Sequence, residues 1–142
     1  MTHITGFFHG GITVKDMDTA LAFYRDGLQL EVAFDVINGA DYLRNVLALP
    51  FSEIRIVYLK IPNSGFVELL EYRGLERQPA ASRPSDYGAG HLCLYVDDID
   101  ALVARMHGLG YKTRSSAAID IVAGPNIGAK VVYLIDPDGY HV

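Results

Sequence analysis

Two periodicities alternate along this chain, and they change places in the same order twice. In "FFHGGITV" (Phe7 to Val14) apolar residues alternate with small or polar ones, which predicts a strand. "DMDTALAFYRDGL" follows at helical spacing. Leu21, Phe23, Tyr24 and Leu28 form its apolar stripe, Asp16 or Asp18 can cap its start, and Gly27 marks its end. "LEVAFDVI" (Leu30 to Ile37) reads as a strand, and "ADYLRNVLALP" as a short helix stopped by Pro50. "EIRIVYLKI" (Glu53 to Ile61) and "FVELLEY" (Phe66 to Tyr72) read as strands joined by a "PNSG" turn. The stretch 73–89 is rich in Pro, Ser, Gly and charge and reads as a linker. Then the order restarts. "GHLCLYV" (Gly90 to Val96) predicts a strand and "DDIDALVARMHGLG" a helix ending at Gly108 and Gly110. "YKTRSSAAIDIVA" predicts an irregular strand pair, "GPNIG" a turn and "AKVVYLI" (Ala129 to Ile135) a strand. A "DPDG" turn signal comes next, followed by Tyr140, His141 and Val142, an arm expected to be too short to pair well.

The restart is an internal repeat. One shift carries His9 onto His91, Val14 onto Val96, Asp16 onto Asp98 and Asp18 onto Asp100. A second shift carries "VYLKIPNSGFV" onto "VYLIDPDGYHV", so that Val67 falls on Val142. The repeat partner of Glu68 would then be position 143, and the expectation is that the hairpin continues there with a glutamate. The chain divides into modules 4–72 and 90–142 around the linker 73–89, within one domain spanning 1–142.

Alternation assigns the faces. Phe8, Ile12 and Val14 should pack on the helix of the first module, with His9, Gly11 and Thr13 opposite. In the second module Leu92, Leu94 and Val96 form the apolar set, and His91, Cys93 and Tyr95 oppose it. Glu68 shares a face with Phe66, Leu70 and Tyr72, where an ionised carboxylate is costly unless a cation or a donor pairs with it. If the halves pack about a two-fold relation, His9, His91 and Glu68 converge. Two imidazoles and a carboxylate suit a divalent metal such as Zn, Ni, Co, Mn or Fe.

Plainer explanations compete with each of these. A lone strand histidine is more often a hydrogen-bonded residue than a ligand. Two histidines at equivalent repeat positions, with a glutamate on an apolar face, share a reason that single residues lack. Glu68 can instead pair with Arg44 or Arg55. His107, near a helix C-terminus, is explained by the helix dipole, and His3 lies in a terminal segment. Glu71 lies opposite Glu68 and is expected to be solvated. Cys93 has no base beside it in the pattern and reads as a pocket-lining residue rather than a nucleophile.

Composition narrows the class. The chain has 142 residues, half of them apolar and a fifth charged, and a net charge of −5. That balance argues against nucleic acid or an anionic membrane as partner. The single cysteine excludes an intrachain disulfide and fits a reducing compartment. No apolar run reaches membrane-spanning length and no basic-then-apolar leader opens the chain, so a cytoplasmic protein is expected.

"HGGITVKDMDTALAFYRDGL", "VELLEY", "GHLCLYVDDIDALVARMHGLGY" and "VVYLIDPDGYHV" closely resemble the vicinal oxygen chelate superfamily, the glyoxalase / bleomycin resistance / extradiol dioxygenase group. The resemblance covers nearly the whole chain. It implies an α+β fold of two βαβββ modules forming a cup-shaped mixed sheet around a metal. Its ligand positions fall on His9, Glu68 and His91, with a fourth at position 143. Retention of both histidines separates the chain from metal-free bleomycin-binding relatives. The ligand set resembles that of glyoxalase I and of methylmalonyl-CoA epimerase, and "VELLEY" is nearer the epimerase motif.

The leading expectation is a metal-dependent, glyoxalase-like lyase or isomerase of epimerase type. It would act on a small oxygen-bearing substrate through an enediolate, with Glu68 as the catalytic base. One alternative is an extradiol ring-cleaving dioxygenase with Fe(II) or Mn(II), where Tyr95 or His141 serves as acid or base. Another is a module that sequesters an antibiotic or aromatic ligand. Cys93, Tyr95, His141, Phe66 and Arg44 are candidate pocket residues, Arg44, Arg55 and Arg114 being able to hold an anionic group. A small molecule is the expected partner, and a homodimer is what the resemblance implies.

Overall fold

The computed structural model describes residues 1, 3–80 and 83–142, so residues 81 and 82 of the expected linker lie outside it. The chain forms two compact units, Met1–Gln78 and Pro79–Val142. No helix among the described residues is long and apolar enough to cross a membrane.

The first unit follows the predicted order. β1 (His9–Thr13) leads into α1 (Met17–Leu21), and then come β2 (Glu31–Asn38), α2 (Asp41–Leu47), β3 (Glu53–Lys60) and β4 (Phe66–Arg73). The four strands make one mixed sheet in the order β1-β4-β3-β2, with β1 parallel to β4 and the other neighbours antiparallel. Asp16 is the helix cap, its side chain accepting from the Thr19 N–H. Ile12, Val14, Met17, Ala20, Leu21, Val57, Leu59, Val67 and Leu69 are buried between helix and sheet. Each large side chain buried in this way contributes about 1.5–3 kcal/mol.

Three local expectations are corrected in this unit. The predicted single α-helix widens after Leu21 into a π-helical turn, Ala22–Gly27, in which the Leu28 N–H reaches back to the Phe23 carbonyl. The wider turn lets the adjacent Phe23 and Tyr24 both point inward, where neither is exposed. Phe8 does not pack on the helix. It precedes the first strand residue, is 61% exposed, and sets its ring 4.8 Å from that of His9. Glu71 is buried rather than solvated. It lies on the helix-facing side of β4 and accepts from the Met17 N–H and from Arg73 Nε, both at 2.6 Å. A carboxylate on that face is stable because the helix N-terminus supplies both a free N–H and a positive dipole end.

The second unit keeps the repeat order with shorter strands. Asp98 caps α3 (Ile99–Gly108) by accepting from the Ala101 N–H. The expected strand pair after it forms no ladder with itself. Instead β5 (Lys112–Thr113) pairs with β8 (Leu134–Ile135), and β6 (Ile119–Asp120) with β7 (Lys130–Val131), all antiparallel. The DPDG hairpin closes fully despite its short arm, since Leu134 and Val142 exchange both backbone bonds, at 2.7 and 3.0 Å. Asp136 Oδ1 accepts from the N–H groups of Asp138 and Tyr140, and Gly139 takes the left-handed conformation the turn needs, at φ 92°.

The predicted strand 90–96 is reduced to one parallel bridge, His91 to His141, with the Leu92 N–H donating to the His141 carbonyl. Beyond Leu92 no neighbouring strand presents backbone groups among the described residues, and a strand without a partner ladder is not one. Under the repeat, this bridge is the counterpart of the His9–Phe66 pairing in β1 and β4.

Candidate functional site

In the first unit the β1–β4–β3 register builds a compact polar site on the face away from α1. Glu68 stands opposite Gly11 on one side and Tyr58 on the other. His9 is two residues before Gly11 and projects to the same face. The His9 Nε2 lies 3.1 Å from Glu68 Oε2, and Tyr58 Oη donates to Glu68 Oε1 at 2.9 Å. The two carboxylate oxygens therefore have different partners. Neither Arg44 nor Arg55 pairs with Glu68.

Aromatic rings gather around Tyr58 beside the pair. Tyr58 packs against His9 at 5.5 Å, against Phe66 at 5.7 Å, and against Phe8 and Phe34 at 5.8 Å. Burial, and then the hydrogen bond to Glu68, push the Tyr58 hydroxyl up to about 12, so it stays protonated and acts as a donor. Phe66 thus lies at the site, as its shared face with Glu68 predicted. Tyr58 did not emerge from the sequence. Its signal was available: alternation places it on the face of Ile54 and Ile56, and the short turn between "EIRIVYLKI" and "FVELLEY" fixes it beside Glu68.

Arg44 and Arg55 are occupied elsewhere. Arg44 donates to the carbonyls of Gly39, Phe51 and Ser52 and to Asp41, tying α2 to the start of β3. Arg55 forms a two-point contact with Asp35 and a further bond to Asp18. Both guanidinium groups serve the fold of the first unit.

In the second unit His91, Cys93 and Tyr95 are exposed, Tyr95 fully so. His141 is buried, 5% exposed, and its Nε2 lies 3.3 Å from Arg114 Nη1. A guanidinium can only donate, so that nitrogen carries the lone pair and the ring is neutral. Burial, then the nearby Arg114 charge, lower its pKa, with the same result. Tyr133 packs at a steep angle against both histidines, 5.4 Å from His91 and 6.0 Å from His141.

Within either unit no three His, Cys, Asp or Glu side chains are grouped closely enough to hold a metal among the described residues. The His9–Glu68 pair nonetheless fits as two ligands of one ion. Ligands about 2.0–2.2 Å from a first-row metal stand about 3.0–3.4 Å apart, which brackets the observed separation of 3.1 Å. Gly11 keeps the approach to Oε2 open, since a Cβ there would come to 3.3 Å from that atom. The His9 Nδ1 is buried with no hydrogen-bond partner, so ring packing rather than a second hydrogen bond orients the imidazole.

Residues 2–142 match the family described as the Glyoxalase/Bleomycin resistance protein/Dioxygenase superfamily. A 2-epi-5-epi-valiolone epimerase from an Actinomyces species is 28% identical over 134 residues, which cover 92% of this chain and 73% of that protein. Among solved structures, a glyoxalase family protein from Bacillus cereus superposes with a TM-score of 0.80 at 16% identity, covering 99% of this chain and 92% of its own. The trypanothione-dependent glyoxalase I of Leishmania major gives 0.60 at 23% identity, covering 94% and 81%. The mixed α+β architecture expected from the sequence is the one these structures share, and the chain belongs to the Glyoxalase/Bleomycin resistance protein/Dioxygenase superfamily.

Proposed function

We propose that the protein is an isomerase- or lyase-type enzyme of this superfamily that moves a proton at a carbon next to a carbonyl. The observation that carries the reading is the His9–Glu68 pair, with its unlike partners on the two carboxylate oxygens. The epimerase relative supports the same reaction type. His9 through Nε2 and Glu68 through Oε2 would hold a divalent metal. When bound, the metal supplies Lewis acidity toward a substrate oxygen and so acidifies the neighbouring C–H.

The chain's own groups do the rest. Tyr58 holds Oε1 by donation, so Oε2 is the oxygen that would take the proton from the substrate carbon. The partner is a small carbonyl compound.

Solvent exchange tests this reading directly. The full chain is loaded with zinc or nickel and incubated in D₂O with cyclic and open-chain α-hydroxy ketones, 2-epi-5-epi-valiolone first among them. Deuterium next to the carbonyl is followed by proton NMR. Incorporation by the parent protein that falls about 100-fold or more in Glu68→Gln is the expected result. Absence of exchange across the set, with the metal bound, would sink the proposal.

A further inference from the structure

We propose, resting on the ligand reading of His9 and Glu68, that Tyr58 is the positioning residue of this site. Its hydroxyl fastens Oε1 of Glu68 and so presents Oε2 alone to a divalent cation beside His9. Three observations meet on this residue. The β3–β4 register sets Tyr58 directly across from Glu68, and the Oη–Oε1 distance is 2.9 Å. The Tyr58 ring has little freedom, because His9, Phe8, Phe34 and Phe66 surround it with centroids 5.5 to 5.8 Å away. The other oxygen, Oε2, is the one that faces His9 and that Gly11 leaves uncrowded.

A glutamate terminus turns easily about its last torsion. Released from Tyr58, the Glu68 carboxylate can swing away from His9 or present both oxygens at once. The phenol removes that choice. It selects one oxygen for ligation and fixes its direction, as outer hydrogen-bond partners of metal ligands do elsewhere. Because the ring is packed on aromatic neighbours, the hydroxyl is positioned before any cation arrives.

Zinc affinity of the full, metal-stripped chain decides the matter, measured by competition with a chromophoric chelator. Tyr58→Phe keeps the ring and removes only the hydroxyl. Tyr72→Phe removes a hydroxyl from the same face of β4 without touching the bond to Glu68. The melting temperature of each metal-free variant reports purely structural damage. The expected result is about a 10- to 100-fold weaker zinc affinity for Tyr58→Phe, with Tyr72→Phe near the parent value. Equal affinities for Tyr58→Phe and the parent would overturn the proposal. So would an equal loss in Tyr72→Phe, which would make any lost hydroxyl on that face the cause. A parent protein that binds no zinc would overturn the ligand reading itself, and this proposal with it.

Discussion

Gly11 and Glu68 are direct neighbours in the parallel β1–β4 pairing, and a methyl group on Gly11 would stand 3.3 Å from Glu68 Oε2. That oxygen has little room to yield, because His9 faces it and Tyr58 holds its twin. A strand alanine is ordinarily about 0.5–1 kcal/mol better than glycine. The crowding at Oε2 opposes that gain, so we expect Gly11→Ala to fold about as stably as the parent while binding zinc about tenfold more weakly. Calorimetric titration beside a denaturant melt measures both. Unchanged affinity would show that Oε2 does not take the cation.

Glu71 replaces a missing turn of helix for Met17, whose N–H would otherwise be buried and unpaired. Glu71→Ala should cost about 2–3 kcal/mol, the penalty of an orphaned buried donor with the lost dipole contact added. Glu71→Gln keeps a carbonyl oxygen for Met17 and should recover part of the loss. Denaturant midpoints at constant m-value test the order parent, Gln, Ala.

The Arg44 guanidinium contacts three carbonyls across the chain crossing between α2 and β3. Arg44→Ala should destabilise the protein by about 1.5–3 kcal/mol, and Arg44→Lys should not restore it, since an ammonium cannot span that fork. Hydrogen exchange should quicken at residues 39–52. If both variants match the parent in exchange but bind an anionic substrate weakly, the arginine belongs to the substrate after all.

Acid sensitivity has a named source. The hydrogen bonds and charge of Arg55 lower the Asp35 pKa below the ordinary carboxylate value, burial opposing them. The unfolded chain takes up this proton first as pH falls. The contribution is therefore complete above about pH 4 and is lost as pH drops through the depressed folded value. Asp35 is partly open to water, so Asp35→Asn should cost about 0.5–1 kcal/mol at neutral pH. It should also flatten the stability curve below pH 4. An unchanged acid slope would remove Asp35 as the source.

Much of the framework was readable because local chemistry and periodicity agreed. Asp16 and Asp98 announce both helix starts, Pro50 follows the end of α2, and β4 follows its alternation closely, as β3 does from Ile56 onward. Alternation puts Glu68 and His9 on faces turned from the helix, and the β1–β4 register is what brings them together. What escaped were features set by neighbours distant in sequence. Charge and alternation make Glu71 read as solvated, whereas the helix end lying over it decides its fate. Tyr58 looks like any strand aromatic until the β3–β4 register is known. The strand expected at 90–96 has the right pattern, but a pattern supplies only one side of a ladder.

The parallel joining of β1 to β4 also dictates an order of assembly. His9 pairs with Phe66 across nearly the whole length of the first unit, whereas β3 and β4 meet through a tight turn. The entropy of closing the longer loop is recovered only after the β2–β3–β4 meander exists to receive β1. Glu68 and Tyr58 consequently belong to the strands with the shorter closure, and the imidazole of His9 is expected to arrive last. Meeting of His9 with Glu68 is then a reporter of completed folding, so a metal that needs both would recognise the finished unit and ignore its half-made precursors.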